Sequence, residues 1–221
     1  MPHFTHHSEE NYLKTLYKLH QKQVKKLNNI TLAKTLDLNP ATVLEMVRKL
    51  VKKNLVELKE DKSIHLTEKG KKKALITIRK HRLWEVFLVD KLNYKWNEIH
   101  DMAEQLEHVE SINLIDRLES FLGFPKYDPH GDPIPDKNGK LKPSDSIPLT
   151  NALAGKNYLV MSFAETNDDF LDYLSELKIK PGIKLKIKSQ NSYDGSFIIG
   201  SGSRQIQLSE KVAANILVKL T

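Results

Sequence analysis

The sequence predicts a mainly α, multidomain protein: an N-terminal winged helix-turn-helix, a helical middle domain and a small C-terminal SH3-like β-barrel. Three observations carry this. Two short amphipathic segments meet at Leu38-Asn39-Pro40 and lead into a strand-turn-strand pattern. Apolar residues then recur at helical spacing from Thr67 to Leu122. After a stretch holding Pro125, Pro129, Pro133, Pro135, Pro143 and Pro148, the pattern changes to short alternating strands. The expected division is residues 1–70, 71–124, a Pro-rich linker over 125–150, and 151–221.

At 221 residues the chain is long enough for more than one core. It has no cysteine, which rules out disulfides and thiolate metal sites. No apolar run reaches the length of a membrane span, and the first residues lack a signal core, so a cytoplasmic location is expected. Charge is distributed unevenly. Residues 1–80 carry 18 Lys and Arg against 8 Asp and Glu, a net of +10. Residues 81–150 are acidic, net −5, and the remainder is net +2. A basic first segment suits a polyanion and an acidic middle suits cations.

In chain order, residues 8–22 read as a first helix, with Ser8 as cap and Tyr12, Leu13, Leu16, Tyr17 and Leu19 on its apolar stripe. Residues 31–37 read as a second helix capped by Thr31. After the turn, Pro40 opens a third helix to about 53, burying Val43, Met46, Val47 and Leu50. Its outward residues include the basic Arg48, Lys49 and Lys52. A hairpin over residues 54–67 supplies the wing. In such an arrangement the third helix enters the major groove of double-stranded DNA. Thr42 and Glu45 are candidates for base edges, Pro40 and Ala41 for a thymine methyl, and Arg48 and Lys49 for phosphates. Glu45 also stands four before Lys49, where an ordinary helical ion pair forms, and Thr42 could instead serve as a cap.

A long helix is expected from Thr67 to about Leu92, with Gly70 as a weak point, and two more over 95–108 and 111–122. Their apolar positions exceed what one small bundle needs, which points to burial against a second subunit. In the last segment, strands are expected near 157–163, 183–188, 195–200 and 204–209, a helix over 168–177, and a final short helix or turn over 210–217.

Within residues 81–108 stand His81, Glu85, His100, Glu104, Glu107 and His108. Residues three and four apart share a helix face, so His100, Glu104 and His108 are expected to line one side. Imidazole and carboxylate without thiolate suit a hard first-row dication: Mn²⁺, Fe²⁺ or Zn²⁺. Ile78, Asn97 and Gln105 stand three before the histidines, so the Glu-x-x-His pair of a di-iron enzyme is absent, as is the His-Glu-x-x-His of a zinc protease. The remaining histidines, His3, His6, His7, His20, His65 and His130, look scattered. Two other readings stay open: a metal-dependent hydrolase or oxidase on a helical scaffold, and a DNA-binding protein whose metal-like residues are structural.

Several segments together resemble the diphtheria toxin repressor family, which includes the manganese transport regulators. They are Tyr12-Leu-Lys-Thr-Leu-Tyr, Pro40-Ala-Thr-Val, Leu66-Thr-Glu-Lys-Gly, Lys80-His-Arg-Leu-Trp-Glu, His100-Asp-Met-Ala-Glu-Gln-Leu-Glu-His-Val and Asp128-Pro-His-Gly-Asp-Pro-Ile-Pro. The resemblance implies a homodimeric, metal-activated repressor of metal-uptake genes on a palindromic operator, with no small organic substrate and no enzyme activity. It implies two ions per subunit, Mn²⁺ or alternatively Fe²⁺. By position, Glu104, Glu107 and His108 match the primary site, completed from helix one at Asn11. His81, Glu85 and His100 match the ancillary site, to which Glu165, Asp168 or Asp169 of the last domain could add a ligand. Glu104 follows the manganese regulators, where iron-dependent members have Cys. Asn11 stands where Met or Asp is usual, and Lys14 where some manganese regulators are acidic.

Overall fold

A computed structural model describes residues 9–96, 98–142 and 144–221. Ser8, expected as a cap, lies outside the described residues. The chain divides into two compact units. The first holds residues to 81 with 104–116 and 135–141; the second holds 82–103, 117–134 and 142–221.

The first unit begins with α1 (Glu9–Gln21), whose opening glutamates favour the positive end of the helix dipole. Tyr12, Leu13, Leu16 and Tyr17 are buried as the spacing predicts. Helix α2 (Asn29–Leu36) starts earlier than expected, because Asn28 rather than Thr31 is the cap and accepts the Thr31 N–H. Asp37 closes it at φ +53°, in the left-handed region that lets the chain reverse. Helix α3 (Pro40–Lys52) is capped by Asn39, which leaves Thr42 free of that duty. Val43, Val47 and Leu50 face inward. Strands β1 (Val56–Leu58) and β2 (Ile64–Leu66) pair antiparallel and form the wing.

Helix α4 spans Glu68–Leu92. Gly70 is not a weak point in it. A Cβ there would stand 1.9 Å from the Leu55 carbonyl oxygen, so glycine is what allows helix and wing to touch. Gly70→Ala should cost about 3 kcal/mol or more by forcing backbone apart, read as a lowered urea midpoint. The Pro-rich stretch is also more ordered than its composition suggests. Asp136 accepts the backbone N–H groups of Asn138 and Lys140, both at 2.8 Å, and Leu141 packs on the N-terminal core.

In the second unit, Leu88, Ile99 and Ala103 pack with Trp84 and Val89. Helix α5 (His100–Leu106) is shorter than expected. Trp96 lies before it in an irregular segment, tied by its indole N–H to Ser175 Oγ at 2.7 Å. Helix α6 (Ile112–Phe121) follows; on it Ile112 and Phe121 are 75% and 64% exposed.

The C-terminal part is an antiparallel sheet of β3 (Ile147–Pro148), β4 (Asn157–Phe163), β5 (Lys184–Gln190), β6 (Phe197–Ser201), β7 (Arg204–Leu208) and β8 (Ile216–Leu220). The strand order is β3-β8-β4-β5-β6-β7. Helix α7 (Asp168–Glu176) contributes Leu171 and Leu174 to the core. The expected final helix or turn over 210–217 is instead α8 (Glu210–Ala214) followed by β8. That strand fills the gap between β3 and β4, so it is defined by its partners more than by its own short alternation. Among the described residues no helix is long and apolar enough to cross a membrane.

Candidate metal centres

The first centre lies in the N-terminal unit. Glu104 is on α5, but Glu107 and His108 sit in the turn after it, so the expected single helix face is not what gathers them. From α1, Glu10, Asn11 and Lys14 lie on one face, spaced one and four apart. Glu10 Oε2 is 2.8 Å from His108 Nδ1, and Glu10 Oε1 is 3.3 Å from Lys80 Nζ. Asn11 Oδ1 is shielded from solvent. Glu107 is fully buried, with Oε2 at 2.6 Å from His81 Nδ1 and Oε1 at 3.8 Å from His108 Nε2. Burial works against its charge, but His81 and Lys14 outweigh it and hold the carboxyl below its ordinary range.

Lys14 is the surprise. It is 4% exposed, and its Nζ lies 2.6 Å from Glu107 Oε1 and 3.0 Å from Glu104 Oε1. Three carboxylates and an imidazole would suit a hard dication. Here they are balanced by two ammonium groups.

The second centre lies in the second unit, around Glu85, which is 2% exposed. Its Oε1 is 3.8 Å from Nδ1 of His100 and 3.8 Å from Nδ1 of His130. Glu85, Asp128 and His130, all buried, each place a ligand atom within 4.8 Å of the others. His130 Nε2 lies 2.8 Å from the Trp96 carbonyl oxygen, which can only accept. Nε2 therefore carries a proton, and Nδ1 is the ring nitrogen that faces Glu85, the orientation a ligating histidine takes. Asp128 Oδ1 accepts the backbone N–H groups of His130 and Asp132, both at 2.9 Å. Its Oδ2 lies 3.3 Å from Arg82 Nε, whose guanidinium also reaches Asp132 at 2.8 Å. Burial, then the charges of Glu85 and Asp132, push the Asp128 carboxyl well above its ordinary range despite Arg82. Two crowded buried carboxylates of this kind are relieved by a cation.

Neither Asp128 nor His130 stands out as a ligand in the sequence, where His130 looks scattered and Asp128 belongs only to the family-like segment 128–135. The legible signal was Asp-x-His beside Pro129 and Gly131, a tight turn that aims two ligands the same way. His81, by contrast, gives its Nδ1 to Glu107, so Nε2 is the atom an ancillary site would use. Glu165, Asp168 and Asp169 are near α7, where Glu165 is hydrogen-bonded by Asn167 and, with Asp169, lines a pocket beside Ser209 and Lys211. None of the three is brought to Glu85 by a contact seen among the described residues.

On α3, Pro40, Ala41, Thr42, Glu45, Arg48 and Lys49 are all exposed. Lys49 pairs with Glu9 of α1 at 3.1 Å, and Lys53 reaches the same carboxylate at 2.5 Å.

The chain matches three families of known domains in order. Residues 4–64 match the iron dependent repressor N-terminal DNA binding domain, 67–136 its metal binding and dimerisation domain, and 147–220 the FeoA domain. The iron-dependent repressor IdeR of Mycobacterium tuberculosis is 38% identical over 126 residues, 57% of this chain and 54% of that protein. In that alignment the chain spans about half the length of its relative. The diphtheria toxin repressor of Corynebacterium diphtheriae is 26% identical over 220 residues, 95% of this chain and 96% of that one. A solved manganese-dependent transcriptional repressor in complex with manganese superposes with a TM-score of 0.85 at 30% identity, covering 97% of this chain and all of the other. ScaR with bound Cd²⁺ gives 0.80 at 32% identity, covering 96% and 99%. With its domains in this order and a full-length likeness at these identities, the chain belongs to the diphtheria toxin repressor family of metal-dependent transcriptional repressors.

Proposed function

We propose that this protein is a metal-activated repressor that binds palindromic operators as a homodimer when loaded with Mn²⁺ or Fe²⁺, and so controls metal-uptake genes. The observation that carries the reading is the ligand-rich contact between α1, which belongs to the DNA-binding fold, and the Glu104–His108 segment. An ion held there by Glu104, Glu107 and His108, with Asn11 or Glu10 from α1, ties α1 to the helical domain. Metal and operator then share one coupling free energy. A second ion would be held by Glu85, His100, Asp128 and His130, with His81 through Nε2. Glu104 in place of a thiolate supports Mn²⁺ first and Fe²⁺ second. The dimer is supported by the exposed apolar residues of α6, Ile112, Leu114 and Phe121.

On DNA, Thr42 and Glu45 read base edges, Pro40 and Ala41 approach the groove, and Arg48 and Lys49 hold phosphates. Glu9 restrains part of this surface, because it already neutralises Lys49 and Lys53. Glu9→Gln should therefore strengthen metal-free, sequence-independent DNA binding. It should also steepen the plot of log K against log salt by about 1 for each lysine released. An unchanged slope would show that those lysines do not reach phosphate.

The experiment for the whole reading is operator binding by metal-free protein, titrated separately with Mn²⁺, Fe²⁺ and Zn²⁺ and then treated with EDTA. Binding that rises with metal and falls with EDTA is expected. Operator binding indifferent to both would mean that the ligand-like residues are structural.

A further inference from the structure

We propose that the Lys14 ammonium is a tethered competitor for the ion at the Glu104–Glu107–His108 centre, and that it sets the metal concentration at which this centre fills. The inference rests on reading that centre as the metal switch.

Lys14 Nζ stands 2.6 Å from Glu107 Oε1 and 3.0 Å from Glu104 Oε1, bridging two of the carboxylates an ion would need. Glu107 has no exposed surface, and Lys14 almost none. A buried carboxylate is stable only with a cation beside it. In the metal-free protein Lys14 supplies part of that charge, with His81 on the other oxygen at 2.6 Å. A dication bound to Glu107 Oε1 cannot share that oxygen with an ammonium at hydrogen-bond distance, because the two positive charges would meet in a poorly screened interior. Filling the centre therefore requires Nζ to leave Glu107. The lysine stem has four rotatable carbons and can withdraw, but the ammonium loses a buried partner when it does. Metal affinity is lowered by that loss. A purely structural ion pair would stabilise the fold without opposing metal, and this difference is what can be measured.

The test uses full-length protein stripped of metal, titrated with Mn²⁺ by calorimetry and melted in EDTA and in Mn²⁺. The variants are Lys14→Gln, Lys14→Met and Lys14→Arg. The two neutral variants should bind Mn²⁺ at this centre about tenfold more tightly or better, since a competing buried charge is gone. Lys14→Arg keeps the charge and should stay as weak as the parent. In EDTA the neutral variants should melt lower than the parent, and Mn²⁺ should raise their melting temperature by more. Variants that fold only in Mn²⁺ would support the proposal in the same way. Equal or weaker Mn²⁺ affinity in both neutral variants would overturn it, as would failure to fold even with Mn²⁺. Glu104→Gln with His108→Ala, in the Lys14 background, keeps the two failures apart: that pair should lose one Mn²⁺ per subunit. If it keeps full stoichiometry, the centre itself is misassigned, whatever Lys14 does.

Discussion

Glu104→Ala combined with His108→Ala should abolish metal-stimulated operator binding and leave the protein folded. The expectation follows from what each side chain touches. Glu104 is part-exposed, and its partner Lys14 keeps a second, closer carboxylate in Glu107. His108 is bound to Glu10, which retains Lys80. Neither truncation strands a buried charge, so the melting curve in EDTA should shift by only a few degrees. The candidate metal centre would lose two of its three proposed donors from that segment, and an ion could then no longer join α1 to it. A coupling free energy of about 1–3 kcal/mol corresponds to about a 5–150-fold loss of operator affinity in Mn²⁺. Metal-free affinity should not change. A gel-shift titration with and without Mn²⁺ reads both quantities. A double variant that still responds to Mn²⁺ would move the switch elsewhere, with the Glu85 centre the next candidate.

Gly131→Ala should be severe for a different reason. Gly131 has φ +85°, and a Cβ there would stand 1.8 Å from the Met161 carbonyl oxygen and 2.8 Å from its carbon. The obstacle is backbone of β4, which cannot swing away as a side chain could. The left-handed conformation adds its own penalty for an L-residue. Together these should lower stability by about 3 kcal/mol or more. Gly131 also follows His130 and lies in the turn that Asp128 closes, with the Gly131 N–H donating to the Asp128 carbonyl at 3.0 Å. A turn displaced by the clash can no longer hold Asp128 and His130 against Glu85. Loss of one bound metal per subunit should therefore accompany the fall in denaturant midpoint. A variant within about 1 kcal/mol of the parent, with full metal content, would mean that β4 yields easily and that the turn is not held by this approach.

The sequence by itself determined the devices that act within a few residues. Asn39-Pro40 and the apolar spacing of Val43, Val47 and Leu50 specify a capped amphipathic helix, and α3 forms there. The acidic and imidazole side chains of residues 81–108, with no cysteine in the chain, already exclude thiolate ligation and lean toward a hard dication. Tertiary structure decided what depends on convergence. Strand β8 exists because β3 and β4 leave it a place. Asp128 and His130 come within ligand distance of Glu85 only when the loop that carries them folds against it, and nothing in their local spacing specifies that meeting. Lys14 is the clearest case. In the sequence it is one lysine among many in a basic segment, the kind that normally faces water. Only the packing of α1 beside residues 104–107 buries it, and once it is buried, Coulomb attraction at short range fixes it to Glu107. A side chain's identity is local, but its dielectric surroundings and its partners are not, and those two quantities decide whether a charge is solvent-facing decoration or part of a switch.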